Sequence, residues 1–194
     1  MSDQNLEINV LYWSSDGRET SFTAIADGSD YMDEENYEPK AFWSVMGGFQ
    51  VTLEGYKMIF SSSDFHYMVK ATSFLIHSLY LIAGMTSDWF DSEDIFEDKV
   101  TLKSTGDNLI CLKKMNGGMI LFSFEPKEVR PRKRGDRFFD GVALKEEEWF
   151  KEADIALQEY FEILLRVAND HEDNETSRIM LSYYGVWKAI SRLR

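Results

Sequence analysis

Three histidines, one cysteine and a surplus of carboxylates are the side chains of this sequence most able to do chemistry. His66 and His77 stand eleven residues apart in a stretch with helical periodicity. That spacing puts them on one helix face but about 16 Å apart, too far to share a metal ion. His171 falls in the charged run NDHEDNE. Without metal-ligand spacing the three read as solvent-facing side chains, and neither a metal site nor a cofactor is assigned. Cys111 would need a base and exposure to act as a nucleophile. Between Ile110 and Leu112, in a strand interior, it reads as a buried thiol. As the sole cysteine it excludes an internal disulfide and a cysteine-based zinc cluster, and it favours a reducing compartment.

With 34 Asp+Glu, a catalytic carboxylate pair could be drawn almost anywhere, so none is selected. GxSxG, HExxH, Walker and dinucleotide-binding patterns are missing, and Gly47-Gly48 and Gly117-Gly118 read as turns. The sequence points to a protein that binds and does not catalyse.

The placement of charge says more. Net charge is −13, yet residues 1–98 hold 4 Lys+Arg against 18 Asp+Glu (net −14) and residues 99–194 hold 17 against 16 (net +1). The acidity is concentrated in two segments. In ADGSDYMDEENYEPK, Asp30, Asp33, Glu34 and Glu35 surround Tyr31 and Tyr37; in SDWFDSEDIFEDK, Asp91, Glu93, Asp94 and Glu97 follow Trp89. Carboxylates around large aromatic side chains suit a surface that steers and then anchors a basic protein partner. The same composition also suits charged loops whose aromatics plug the core. One strongly basic run, from Lys127 to Arg137, carries Arg130, Arg132, Lys133 and Arg134. It lacks interleaved aromatics, so it reads as a solvated loop, with no nucleic-acid partner inferred.

These residues need a frame, and the stretch from Ser63 to Met85 organises it. It is the most apolar segment, with Phe65, Met68, Val69, Thr72, Ile76, Leu79 and Ala83 on one helical face and Tyr67, Phe74 and Leu81 opposite, so it must be covered on two sides. His66, Lys70, Ser73 and His77 make its only polar stripe, where water is expected. Ser63 or Asp64 would cap its start and Gly84 would end it. Its apolar core is too short for a bilayer span of roughly 20 residues, and no membrane association is expected.

Before this helix, Leu6–Trp13 and Thr20–Ala26 read as a hairpin, and Phe49–Phe60 as a bent strand or second hairpin about Glu54-Gly55. After it, Val100–Ser104, Leu109–Lys114 and Met119–Phe124 form a meander that a strand near Val142–Leu144 closes. Lys145–Asn169 is an amphipathic helix with the stripe Trp149, Ala153, Leu157, Tyr160, Phe161, Leu164 and Ala168. A last helix runs from about Glu175 to Leu193. The expected class is α+β: a single antiparallel sheet with two main helices packed on it, residues 1–169 forming the domain and 170–194 a helical extension on the same domain. At 194 residues such a chain buries about 70% of its unfolded surface and folds alone.

The order of strands, helix, meander ending in FSFEP, and the helix in GVALKEEEWFKEADIALQEYFEIL resembles, over residues 6–168, the layout of immunity proteins that bacteria encode beside polymorphic contact-dependent toxins. That resemblance implies a cytoplasmic protein, monomer or weak dimer, that blocks a basic toxin domain, in many cases a nuclease. It transfers no individual residue. MSDQNLEINV has neither the basic nor the apolar part of a secretory signal, in keeping with the cytoplasm. The competing expectation is a small-molecule or accessory domain with a pocket between the first helix and the sheet, and His66, Lys70 and His77 at its mouth.

Overall fold

The structure, a computed structural model, describes residues 5–15, 20–24, 46–57, 66–85, 95–96, 98–103, 109–125, 141–168 and 175–192. The class is α+β, with antiparallel sheets and three helices among the described residues.

The first sheet contains β1 (Leu6–Ser15), β2 (Thr20–Ala24), β3 (Met46–Leu53), β4 (Tyr56–Lys57) and β5 (His66–Tyr67), in the order β2-β1-β3-β4, with β5 also on β3. Alternation sets its register. Leu6 lies opposite Leu53 and Ile8 opposite Val51, so each pair puts its apolar side chains on one face, while Glu7 points to water. Glu54 and Gly55 join β3 to β4 with φ of 50° and 79°, the two positive angles of a tight turn matched to strand twist. The opening hairpin forms, and of the two alternatives about Glu54-Gly55, a bent strand or a second hairpin, the hairpin is the one found. Gly47 and Gly48, expected in a turn, instead sit inside β3 opposite Tyr12 and Leu11. Pairing of β3 on both of its edges overrides their turn preference.

The second sheet is a meander of β6 (Ile95–Phe96), β7 (Lys99–Lys103), β8 (Leu109–Lys114), β9 (Met119–Glu125) and β10 (Val142–Lys145), each strand antiparallel to the next. Val100, Leu102, Ile110, Leu112, Ile120, Phe122 and Leu144 all face inward and are buried. Cys111 falls on the opposite face and is half-buried, so the buried thiol read from its apolar neighbours is corrected: a strand points those neighbours away from it.

Between the sheets lies α1 (Met68–Ala83), touching β3 of the first sheet and β7 and β8 of the second. Ala71, Thr72, Phe74, Leu75, Ile76, His77, Ser78, Leu79 and Ile82 are all buried, the pattern of a helix covered over most of its circumference, with Lys70 left exposed. The single sheet expected from the sequence is therefore two. A helix apolar on opposite faces needs cover on both, and each face of α1 receives its own sheet. Its start is also later than expected: His66 and Tyr67 are strand residues paired with Gly47 and Met46, and the Ser63/Asp64 cap lies outside the described residues. Its end is as expected. Gly84 takes φ 68°, its N–H donates to Leu81 O (3.3 Å), and Met85 N–H donates to Tyr80 O (3.2 Å), a Schellman closure.

The second helix, α2 (Glu146–Ala168), packs on α1 and on β1 through Trp149, Ala153, Leu157, Tyr160 and Phe161. The last, α3 (Glu175–Ser191), lies against α1 and α2, and its Trp187 and Ile190 belong to the same buried cluster as both sheets.

Candidate partner-binding site

Of the side chains expected to meet a partner, Asp30, Tyr31, Asp33, Glu34, Glu35, Tyr37, Trp89, Asp91, Glu93, Asp94 and Glu97 all lie outside the described residues, as do the basic run and His171. The frame does fix where their segments attach. The first returns to the fold at Met46, which pairs with Tyr67 immediately before α1. The second leaves after Met85, just past the end of α1. The two attachments thus sit at opposite ends of a 16-residue helix, about 24 Å apart along its axis.

The corner where the second segment attaches is described in detail. The Nζ of Lys114, at the end of β8, donates to Leu81 O (3.2 Å) and Ile82 O (2.9 Å), carbonyls of the last turn of α1. A cation there meets the negative end of the helix dipole and satisfies acceptors with no helical partner. The same ammonium stands 3.9 Å from Glu146 Oε1, at the positive end of α2. The backbone N–H of Lys114 donates to Asp98 O (2.7 Å), and Lys113 Nζ pairs with Asp98 Oδ2 (3.1 Å). Glu146 N–H donates to Gly118 O (2.9 Å), joining the MNGG loop to the start of α2. None of this corner was anticipated except the turn at Gly117-Gly118 and the helix beginning near Lys145. Lys114 is an ordinary lysine of an alternating strand, and no local pattern announces its distant carbonyl partners.

The polar stripe of α1 is corrected. Lys70 is exposed as expected, but His77 is only 5% exposed. Desolvation lowers its pKa to about 4, so the imidazole is neutral near pH 7, with Ser73 Oγ 3.3 Å from Nδ1. Lys70 and His77 therefore do not line one mouth, and the side chain of His66 lies outside what is described. Ser73 and His77 pair a hydroxyl with an imidazole, but this burial denies a substrate access to the ring. Deeper in the core, Ser78 Oγ accepts from Trp149 Nε1 (2.8 Å) and donates to Leu75 O (2.6 Å). Tyr160 is hydrogen-bonded with Thr72, and burial pushes its hydroxyl pKa up. These polar groups link helices and offer no reactive atom to solvent.

Among the described residues, no group of three or more His, Cys, Asp or Glu side chains is placed to hold a metal ion. Among them also, no helix is long and apolar enough to cross a membrane. Protein-family models, curated proteins and solved structures were compared with this chain, and none of them matches it.

Proposed function

We propose that this chain is an acidic cytoplasmic binding protein that neutralises a basic toxin domain, possible nucleases included, by covering its site without catalysis. The observation that carries the reading is the segregation of charge: net −14 over residues 1–98 against +1 over residues 99–194. Two segments of like composition hold most of that charge and attach at the two ends of one largely buried helix. A strongly negative chain segment accelerates encounter with a positive partner and repels nucleic acid and anionic membrane. The pocket reading is weakened by the burial of His77, one of the three side chains it needs at a mouth.

The test is capture of partners from the native cell, followed by association kinetics with whatever basic protein is captured. Neutralising Asp30, Asp33, Glu34 and Glu35 together, or Asp91, Glu93, Asp94 and Glu97 together, should slow association, and added salt should erase the difference. Failure to capture a basic protein, or association rates unchanged in both variants, would leave the acidity as solvation only.

A further inference from the structure

We propose that Asn116 is a site of spontaneous covalent modification: the backbone nitrogen of Gly117 closes on its side chain, and the resulting imide opens to aspartate and isoaspartate, loosening the start of α2. This chemistry is independent of what the protein binds.

Of the seven asparagines in the sequence, Asn116 is the only one followed by glycine. The fold puts that pair at the tip of a hairpin. β8 and β9 pair as far as Lys114 opposite Ile120, and Met115 N–H donates to Met119 O (2.8 Å), which leaves Asn116, Gly117 and Gly118 as the loop. The two glycines take φ of 78° and 72°, angles that residues with a Cβ resist, so the loop depends on them. All three loop residues are exposed. Among the described residues, none hydrogen-bonds to the Asn116 side chain or to the Gly117 N–H. Electrophile and nucleophile are thus neighbours in the chain, open to water and held by no other described group. Asn9, by contrast, lies inside β1 opposite Gln50 and precedes the β-branched Val10.

The reaction balances with water alone. A base in solvent takes the Gly117 amide proton, and the nitrogen attacks Asn116 Cγ. The new N–Cγ bond closes a five-membered succinimide, the Cγ–Nδ2 bond breaks, and ammonia leaves with a proton from water. A water molecule then opens the ring. Addition at Cγ gives aspartate; addition at the main-chain carbonyl carbon of residue 116 gives isoaspartate, with the chain now running through Cγ. Nothing is oxidised or reduced, and either product carries a new carboxylate.

Only the second product lengthens the backbone, and it does so where the loop is tied to a helix. Gly118 O accepts from Glu146 N–H (2.9 Å), one of the first N–H groups of α2, which have no acceptor within the helix. An extra backbone atom two residues before Gly118 displaces that carbonyl.

The test ages the full folded chain at pH 7 and at pH 9 and maps residue 116 by peptide mass spectrometry, with electron-transfer fragmentation separating isoaspartate from aspartate. Both products should accumulate at 116, faster at pH 9, while Asn9 stays intact. Asn116→Gln, whose attack would have to close a six-membered ring, should abolish the conversion. Amide exchange at Glu146 should quicken by about ten-fold in the chromatographically isolated isoaspartyl form and stay as in wild type in freshly purified Asn116→Asp, which has the charge without the extra atom. Conversion absent from the folded chain, confined to chain unfolded in urea, or undiminished in Asn116→Gln overturns the site. Unchanged exchange at Glu146 in the isoaspartyl form, or equal quickening in Asn116→Asp, overturns the link from the lengthened backbone to α2.

Discussion

Trp149 Nε1 donates to Ser78 Oγ at 2.8 Å, joining two helices whose partners are 71 residues apart in the chain. Both side chains have no exposed surface. The serine hydroxyl passes its own proton to Leu75 O, so neither polar group is left unsatisfied in the core. Ser78→Ala should therefore strand the indole N–H and lower unfolding free energy by about 1–3 kcal/mol. Trp149→Phe in that background should add less than it does in wild type. Denaturant titration of the four proteins of this cycle measures the coupling, and strict additivity would show that the hydrogen bond contributes nothing.

Leu79 and Leu157 are each fully buried, on α1 and α2 respectively. Leu79→Asp and Leu157→Asp each put a charge with no partner into the single core and should yield insoluble protein. Recovery of either variant in the soluble fraction at wild-type yield would contradict that assignment.

The path of the chain was legible where one period dominates. Alternation located β1, β3 and the meander, the apolar stripe marked α2, and Gly84 marked the end of α1. Two features escaped for one reason. The enclosure of α1 by separate sheets and the burial of His77 both depend on what packs against a helix, whereas periodicity reports only which of its faces are apolar. Lys114 and Ser78 were missed because their partners are 32 and 71 residues away, beyond any local pattern. The aromatic and acidic residues of the two candidate segments were legible as composition alone.

His77 supplies a pH dependence with a definite sign. Its folded pKa is lowered from 6.5 to about 4 by burial, so between those values the unfolded chain takes up a proton that the folded chain refuses. Stability from this group is complete above pH 6.5 and falls as pH drops, losing on the order of 3 kcal/mol by pH 4. His77→Leu cannot titrate, so its unfolding free energy should decline less than that of wild type between pH 7 and pH 4.5. Parallel declines in the two proteins would place the acid sensitivity in other groups.

Asp154 on α2 fastens the last helix through one oxygen. Its Oδ1 accepts from Trp187 Nε1 (2.7 Å) and from Ser191 Oγ (2.6 Å), while Trp187 stacks on Phe161 with centroids 5.3 Å apart. Asp154→Ala removes the acceptor and leaves the nearly buried indole N–H without it, at a cost of about 1–3 kcal/mol. Because α3 is the outermost element in sequence, the loss should concentrate there. Amide exchange across residues 181–191 should quicken more than exchange in β8, and uniform quickening would show that α3 opens only with the whole fold.

The two acidic segments attach about 24 Å apart along α1, well beyond the screening length of about 8 Å at physiological salt. Each set of carboxylates should then act on an approaching basic partner nearly independently. Neutralising Asp30, Asp33, Glu34 and Glu35 should slow association by some factor, neutralising Asp91, Glu93, Asp94 and Glu97 by another, and the combined variant by about their product. The melting temperature should hardly move in any of them, the outcome expected of a charge set that serves association and not the fold. Truncating Tyr31, Tyr37 or Trp89 to alanine should leave association nearly unchanged and speed dissociation by about ten-fold, the behaviour of anchors within a charged rim. Stopped-flow association at two salt concentrations, with dissociation followed by competition, separates these effects. A combined variant no slower than either parent would mean that only one end of α1 faces the partner, and dissociation unaffected by all three truncations would remove the aromatic anchors from the interface.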